Sequence, residues 1–265
     1  FSIRRKFFSF LRDNQINVVD STMGHLWSRF VTPVVHRSGA VMLDTVHDAV
    51  VHPGEDGGVK RWFYQPFKNA DGYIALTNYV GQQLTEVHAI DPEKVTIIPL
   101  GPLNGQAVHT HMSAAPPGPL RLLFFGRILR YKGLERLIDA YALLRAEGQS
   151  VSLQITGAGD MRGLMAAVEA LPDITVNNVW VPEDKMDGVF TQADLIVLPY
   201  LESSQSGVIG SAFAAGVPAI GTPIGGLPEQ ITHGVNGLAA ADTSPAALAM
   251  EIRRLAGDRP PLETV

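Results

Sequence analysis

A chain of 265 residues, 46% hydrophobic and only 18% charged, is long enough for two domains or one large α/β unit. It is too sparing in charge for a coiled coil or a disordered tail. A net charge of −5 argues against a nucleic-acid binder, and the lack of cysteine excludes disulfides, thiolate chemistry and zinc–sulfur sites. The same lack fits a reducing, cytoplasmic setting.

The chain opens with Phe1 and carries no signal-peptide pattern, so it reads as a fragment. Residues 1–12 form a basic amphipathic helix with Ile3, Phe7, Phe8 and Leu11 apolar beside Arg4, Arg5 and Lys6. Its apolar face is expected either to pack on the first domain's sheet or to touch an anionic membrane surface. Strands follow at 18–20, 41–46, 72–76 and 95–99. Thr45-Val46-His47-Asp48 closes the second strand, with His52-Pro53-Gly54 close behind. A histidine at the carboxyl end of a strand can donate to a substrate oxygen or stabilise developing charge, although a lone histidine is more often structural. Residues 102–119 have little periodicity and include Ala114-Ala115-Pro116-Pro117-Gly118-Pro119, the composition of a linker. His109-Thr110-His111 lies there without a third ligand, so a metal site is not expected.

From residue 120 strands and helices alternate. Strands are read at 120–125, 151–156, 174–181, 195–200 and 218–222, and helices at 133–147, 161–171, 184–192, 207–215 and 245–255. Such alternation predicts a parallel sheet covered on both faces. The stretch from Ser203 to Pro228 is uncharged and long enough to span a bilayer, but its prolines and glycines make it a buried loop–helix–strand segment instead. Residues 1–115 carry 10 basic and 10 acidic side chains, whereas 116–265 carry 11 and 16. Any anion bound by the second part must therefore be held by local groups.

Three strand-to-helix turns in that part could hold such an anion. Gly126-Arg127-Ile128-Leu129-Arg130-Tyr131-Lys132-Gly133 puts cations and glycines where ligands of open α/β sheets bind. In Glu202-Ser203-Ser204-Gln205-Ser206-Gly207-Val208, Ser206 can cap a helix while the N–H groups of Gly207 and Val208 face a phosphate. The Gly225-Gly226 pair in residues 221–229 allows close main-chain approach. Each of these segments, taken alone, is also compatible with a solvated loop, a simple helix cap or a plain turn. Thr156-Gly157-Ala158-Gly159-Asp160 lacks the third glycine of a dinucleotide fingerprint and reads as a tight turn.

Taken together, the order and spacing of Phe124–Gly133, Ile155–Asp160, Ala193–Tyr200, Ser206-Gly207-Val208, Ala214–Pro218 and Gly225–Glu229 resemble the family-four retaining glycosyltransferases, the glycosyl transferases group 1. Residues 41–101 resemble the later part of that family's acceptor domain. The resemblance implies the α/β GT-B fold, two Rossmann-like domains with parallel sheets. Here these are an acceptor-side domain over 1–101, truncated at its N-terminus, the linker over 102–119 and a nucleotide-sugar domain over 120–265. The family's opening strand and Gly-rich loop would precede Phe1, and its closing helix would follow the C-terminal end.

The resemblance also implies roles. Arg127 and Lys132 would neutralise the donor diphosphate and support the leaving group, and His47 would face the transferred sugar. Gly126, Gly157, Ser206, Gly207, Val208 and Ser211 would border the donor, with Val181 in the wall that receives the base. The expected reaction moves a sugar, with retention and without metal or cofactor, from a UDP- or GDP-sugar to a hydroxyl acceptor. That acceptor would belong to polysaccharide or glycolipid assembly and could be lipid-linked at the inner face of a membrane. The family's two glutamates, eight positions apart, fall on Ser203 and Ser211, a departure shared by a subgroup with Ser-Gln-Ser-Gly-Val. Other readings within the fold are a nucleotide-sugar epimerase or a phosphorylase, the last needing a cofactor lysine not evident here, and a rival from another class is a non-catalytic sugar-nucleotide-binding module.

Overall fold

The computed structural model describes residues 2–22, 28–51, 69–101 and 118–257. His52, the 109–111 triplet and most of the linker lie outside them. The chain divides into two compact units, Phe1–Leu100 and Gly101–Val265, so residue 101 and the linker fall with the second.

The first unit contains α1 (Ser2–Asp13), β1 (Val18–Ser21), α2 (Ser28–Ser38), β2 (Val41–Val46), β3 (Gly72–Ala75), α3 (Asn78–Glu86) and β4 (Val95–Ile97). Its four strands pair in parallel in the order β1-β2-β3-β4. One sheet face carries Met42, Val46, Tyr73 and Ala75, all buried with Leu11 of α1, Val35 of α2 and Val80 and Leu84 of α3. Both α2 and α3 lie in stretches to which sequence periodicity assigned no element. In α2 the helix runs through Pro33, a residue that normally argues against one. In α3 the start is set by Thr77, whose hydroxyl accepts from the Val80 N–H at 3.2 Å.

The second unit contains β5 (Leu120–Phe125), α4 (Leu134–Ala146), β6 (Val151–Thr156), α5 (Met165–Glu169), β7 (Ile174–Asn177), α6 (Glu183–Phe190), β8 (Leu195–Leu198), α7 (Gly207–Ala214), β9 (Ala219–Gly221), α8 (Leu227–Gln230), β10 (Gly237–Ala239) and α9 (Pro245–Gly257). Its six parallel strands are ordered β10-β9-β8-β5-β6-β7. The order reverses between β5 and β8, and the carboxyl ends of those two strands are where an open α/β sheet takes ligands. Each face has its own core. Leu122, Phe124, Leu153 and Ile155 pack with Leu137 and Tyr141 of α4 and Ile252 of α9, while Leu123, Phe125, Ile196 and Leu198 pack with Phe190 and Ile209.

Two predicted elements fall short of the periodicity by more than two residues. The 161–171 helix is regular only over Met165–Glu169, because residues 161–164 form a turn in which Leu164 and Met165 both donate to the Met161 carbonyl. The 174–181 strand ends at Asn177. There Asn178 turns away to exchange two 3.0 Å hydrogen bonds with the backbone of Gly159, and a side-chain amide replaces the ladder. The Ser203–Pro228 stretch resolves into a loop, α7, β9 and the start of α8. No described helix is long and apolar enough to cross a membrane.

Candidate functional site

At the carboxyl end of the second sheet the backbone is crowded enough to demand glycine. Gly126 has φ +115°, and a Cβ there would stand 3.0 Å from Lys132 Nζ and 3.8 Å from Val208 Cγ2, so residues of two separate loops converge on it. Gly157, at φ +151°, packs so closely on the Gly126 carbonyl that a Cβ would overlap it. The two loops are tied together by Gly126 N–H to Thr156 O at 3.0 Å and Ile128 N–H to Ala158 O at 2.9 Å. Gly157 thus fixes the floor of the site with its main chain.

Lys132 ends a 3-10 turn, Arg130–Lys132, which Gly133 closes in the left-handed conformation with φ +65° and ψ +26°. Its ammonium donates to the Tyr200 phenol oxygen at 3.1 Å and lies 4.9 Å from that ring's centre. Tyr200 is buried at the end of the chain following β8. Its carbonyl accepts from the Thr222 hydroxyl at 2.6 Å, and the neighbouring Leu201 N–H donates to Tyr131 O at 2.7 Å. Loops after β5, β8 and β9 therefore lock one another, and the lysine is held on its aromatic support. Arg127 is exposed on the first of these loops.

Ser206 occupies the N-cap position of α7 with extended backbone, φ −135° and ψ 111°. Its hydroxyl makes no cap hydrogen bond, contrary to the sequence expectation. It lies instead 3.5 Å from the Tyr200 hydroxyl, while its backbone is engaged by Gln230. The Gln230 Oε1 accepts from Ser206 N–H at 2.8 Å and its Nε2 donates to Ser206 O at 3.2 Å. No spacing rule links residues 206 and 230, so this contact had no sequence signal. Helix geometry leaves the Gly207 and Val208 N–H groups without intrahelical acceptors. Val208 also packs on the second core, as does Val181 beyond β7.

Ser203 and Ser211 are both buried, with hydroxyls that donate to Gln205 O at 3.0 Å and Gly207 O at 3.2 Å. Each is turned onto local backbone. In the same loop the Gln205 side-chain carbonyl is buried without a hydrogen-bond partner. Beyond β7, Trp180 is 73% exposed and Val179 57%, an apolar ledge at the ligand end of the sheet. Next to it Arg162 pairs with Asp160 and holds that carboxyl far below the ordinary carboxylate range, chiefly through their side-chain hydrogen bonds.

His47 belongs to the first unit, where it stands half-buried one residue beyond β2. Nearby, the Thr45 hydroxyl donates to the exposed Asp20 carboxylate at 2.9 Å. Among the described residues no three His, Asp or Glu side chains form a set able to hold a metal ion.

Both the sequence and the fold resemble known proteins. The D-inositol 3-phosphate glycosyltransferase of Pseudarthrobacter chlorophenolicus is 28% identical over 235 residues, which is 82% of this chain and 54% of that protein. The 2-deoxystreptamine glucosyltransferase of Streptomyces kanamyceticus is 26% identical over 268 residues, 90% of this chain and 67% of that protein. The chain thus spans only about half the length of the first. Among solved structures, Anabaena Alr3699/HepE in complex with UDP superimposes with a TM-score of 0.75 at 15% identity, covering 97% of this chain and 73% of that one. The two parallel α/β units accordingly have the GT-B fold. The family profile of the glycosyl transferases group 1 matches residues 119–258, from the start of β5 to the end of α9, and the chain belongs to that family.

Proposed function

We propose that this chain belongs to a glycosyltransferase that moves a sugar from a nucleotide diphosphate donor to a hydroxyl acceptor. The observation that carries this reading is the convergence of Gly126, Lys132 and Val208 at the point where the strand order reverses. There the Lys132 and Arg127 cations and the first N–H groups of α7 offer a compact anion site in an otherwise acidic unit. As the glycosidic bond breaks, negative charge grows on the departing diphosphate, and groups already in place stabilise that state more than the ground state. The UDP complex of HepE supports a uridine donor.

Retention of configuration, with no metal and no further cofactor, belongs to the same proposal, since fixed cations and N–H groups supply the countercharge. His47 would act on the transferred sugar from the acceptor side. The acceptor would be a hydroxyl compound of polysaccharide or glycolipid assembly. On α1, Ile3 and Phe10 are 72% and 56% exposed beside Arg4, Arg5 and Lys6, and the same reading brings this face to an anionic lipid surface. Cosedimentation with anionic vesicles at low salt, lost at high salt, tests that part.

The central test titrates Arg127→Ala and Lys132→Ala with uridine, UMP and UDP. A charged hydrogen bond is worth ~1.5–3 kcal/mol, so each variant should bind UDP roughly 10- to 150-fold more weakly with little change for uridine. Wild-type UDP affinity in both would place the phosphate site elsewhere. The inward-turned hydroxyls of Ser203 and Ser211 favour a second reading, a binding module without turnover. Release of UDP from UDP-sugars by wild-type protein, abolished in His47→Ala, decides for the enzyme.

A further inference from the structure

The network around Ser206 assigns a role to a residue that does not touch the expected ligand. We infer that Gln230 is a positioning residue for diphosphate binding: its side-chain amide sets the direction of the α7 N-terminus by gripping the Ser206 peptide. This rests on the diphosphate reading above.

The argument starts from the bonds that Ser206 makes. Its N–H and C=O are both engaged by one amide, at 2.8 and 3.2 Å, a reciprocal pair of the kind strands make with each other. The Ser206 carbonyl also receives the Ile209 N–H at 3.2 Å, the first closed turn of α7. Rotation of the peptide unit that joins Ser206 to Gly207 would break both bonds at the Ser206 carbonyl and swing the Gly207 N–H with it. Ser206 cannot hold itself in place, because its hydroxyl faces Tyr200 rather than the helix.

Gln230 is itself anchored. It ends α8, and its carbonyl accepts from Asn236 Nδ2 at 3.2 Å. Asn236 is buried and accepts the Thr232 N–H at 2.8 Å. The grip on Ser206 therefore comes from a rigid β9–β10 connection, not from a loose surface side chain. The same group stands one hydrogen-bond step from the cation support, since Ser206 Oγ, Tyr200 and Lys132 follow in sequence at 3.5 and 3.1 Å. Anion-binding N–H groups and the lysine thus share one frame. Preorganised donors contribute to binding because no reorientation is needed when the ligand arrives.

The experiment compares UDP and uridine affinities by calorimetric titration for wild type, Gln230→Met and Gln230→Glu, with thermal melts to verify folding. Gln230→Met keeps the volume and removes both bonds; UDP should bind about tenfold more weakly (~1.4 kcal/mol) while uridine changes less than about twofold. Gln230→Glu keeps the acceptor for Ser206 N–H, loses the donor and adds a negative charge, so its UDP affinity should fall further with uridine again spared. A purely structural role would weaken both ligands alike. Folded variants that keep the wild-type UDP-to-uridine ratio overturn the inference while leaving the diphosphate site intact. A wild-type protein with no preference for UDP over uridine removes the diphosphate reading and this inference together.

Discussion

Replacing Gly133 with alanine should both destabilise the second unit and weaken diphosphate binding. Gly133 sits at φ +65° and ψ +26°, a conformation that costs an L-residue ~1–2 kcal/mol. Its added Cβ would also overlap the Pro199 carbonyl oxygen, forcing apart the turn after β5 and the chain after β8. The first bond lost in that separation is Leu201 N–H to Tyr131 O, worth ~1 kcal/mol. Strain, lost bond and displaced carbonyl add to about 3 kcal/mol, or roughly 6–12 °C in Tm for a unit of this size. Gly148→Ala is the control. Gly148 also has a left-handed φ, +76°, but nothing lies within 4 Å of its would-be Cβ, so only the conformational cost of ~1–2 kcal/mol applies. Scanning calorimetry on the two variants separates strain from collision. UDP titration should show loss only in Gly133→Ala, because Lys132 is the adjacent residue. Equal melting shifts in the two variants, or unaltered UDP binding in Gly133→Ala, would refute the reasoning.

Two further outcomes are expected. Asp71 accepts from the Met42 N–H at 2.8 Å and from His36 at 3.0 Å, and mainly the first of these holds its carboxyl below the usual 3.8. A lowered folded value means stability that is full above pH 3.8 and lost as the pH falls through the folded value. Since Asp71 is half exposed, Asp71→Asn should cost under about 1 kcal/mol at pH 7, and melts should show its gap from wild type closing below pH ~3.8. Trp180→Ala should leave Tm unchanged, because the ring is 73% exposed. If the base stacks on this ring, the change should weaken uridine and UDP equally by roughly 5- to 150-fold, the ~1–3 kcal/mol of a base on an aromatic ring; unchanged uridine affinity by fluorescence titration would show that no base stacks there.

The second unit was largely legible because its strands are short apolar runs between glycines. Leu120–Phe125 and Val151–Thr156 have the same bounds in sequence and structure, since Gly118 and Gly126 bracket the first and Gly148 and Gly157 the second. Of the first unit's described helices, α1 was legible but α2 and α3 were not, because Pro33 and the mixed surface of residues 78–86 hide periodicity that tertiary packing supplies. At the site, sequence order located the glycine and cation turns, which need local backbone freedom and charge. It could not show that Ser206 caps through its backbone alone, or that Gln230 and Asn178 replace main-chain partners. Those contacts join residues 24 and 19 positions apart and exist only once the sheet has formed.

The strand order also bears on how the chain is made. Strand β5 is the first strand of its sheet in sequence, yet it lies in the middle, between β6 and β8. Its β6 edge can close early, but its other edge waits for Leu195 and Ile196 to reach Leu122 and Leu123, and for Asp194 to meet Arg121 across 73 residues. During synthesis an apolar strand with an unpaired edge is therefore exposed for several seconds at ribosomal rates of ~5–20 residues per second. Such an edge can pair with another nascent chain as readily as with its own β8. Slower translation after residue 125, or a truncation before residue 195, should send this protein into aggregates that chaperones holding extended apolar segments would suppress.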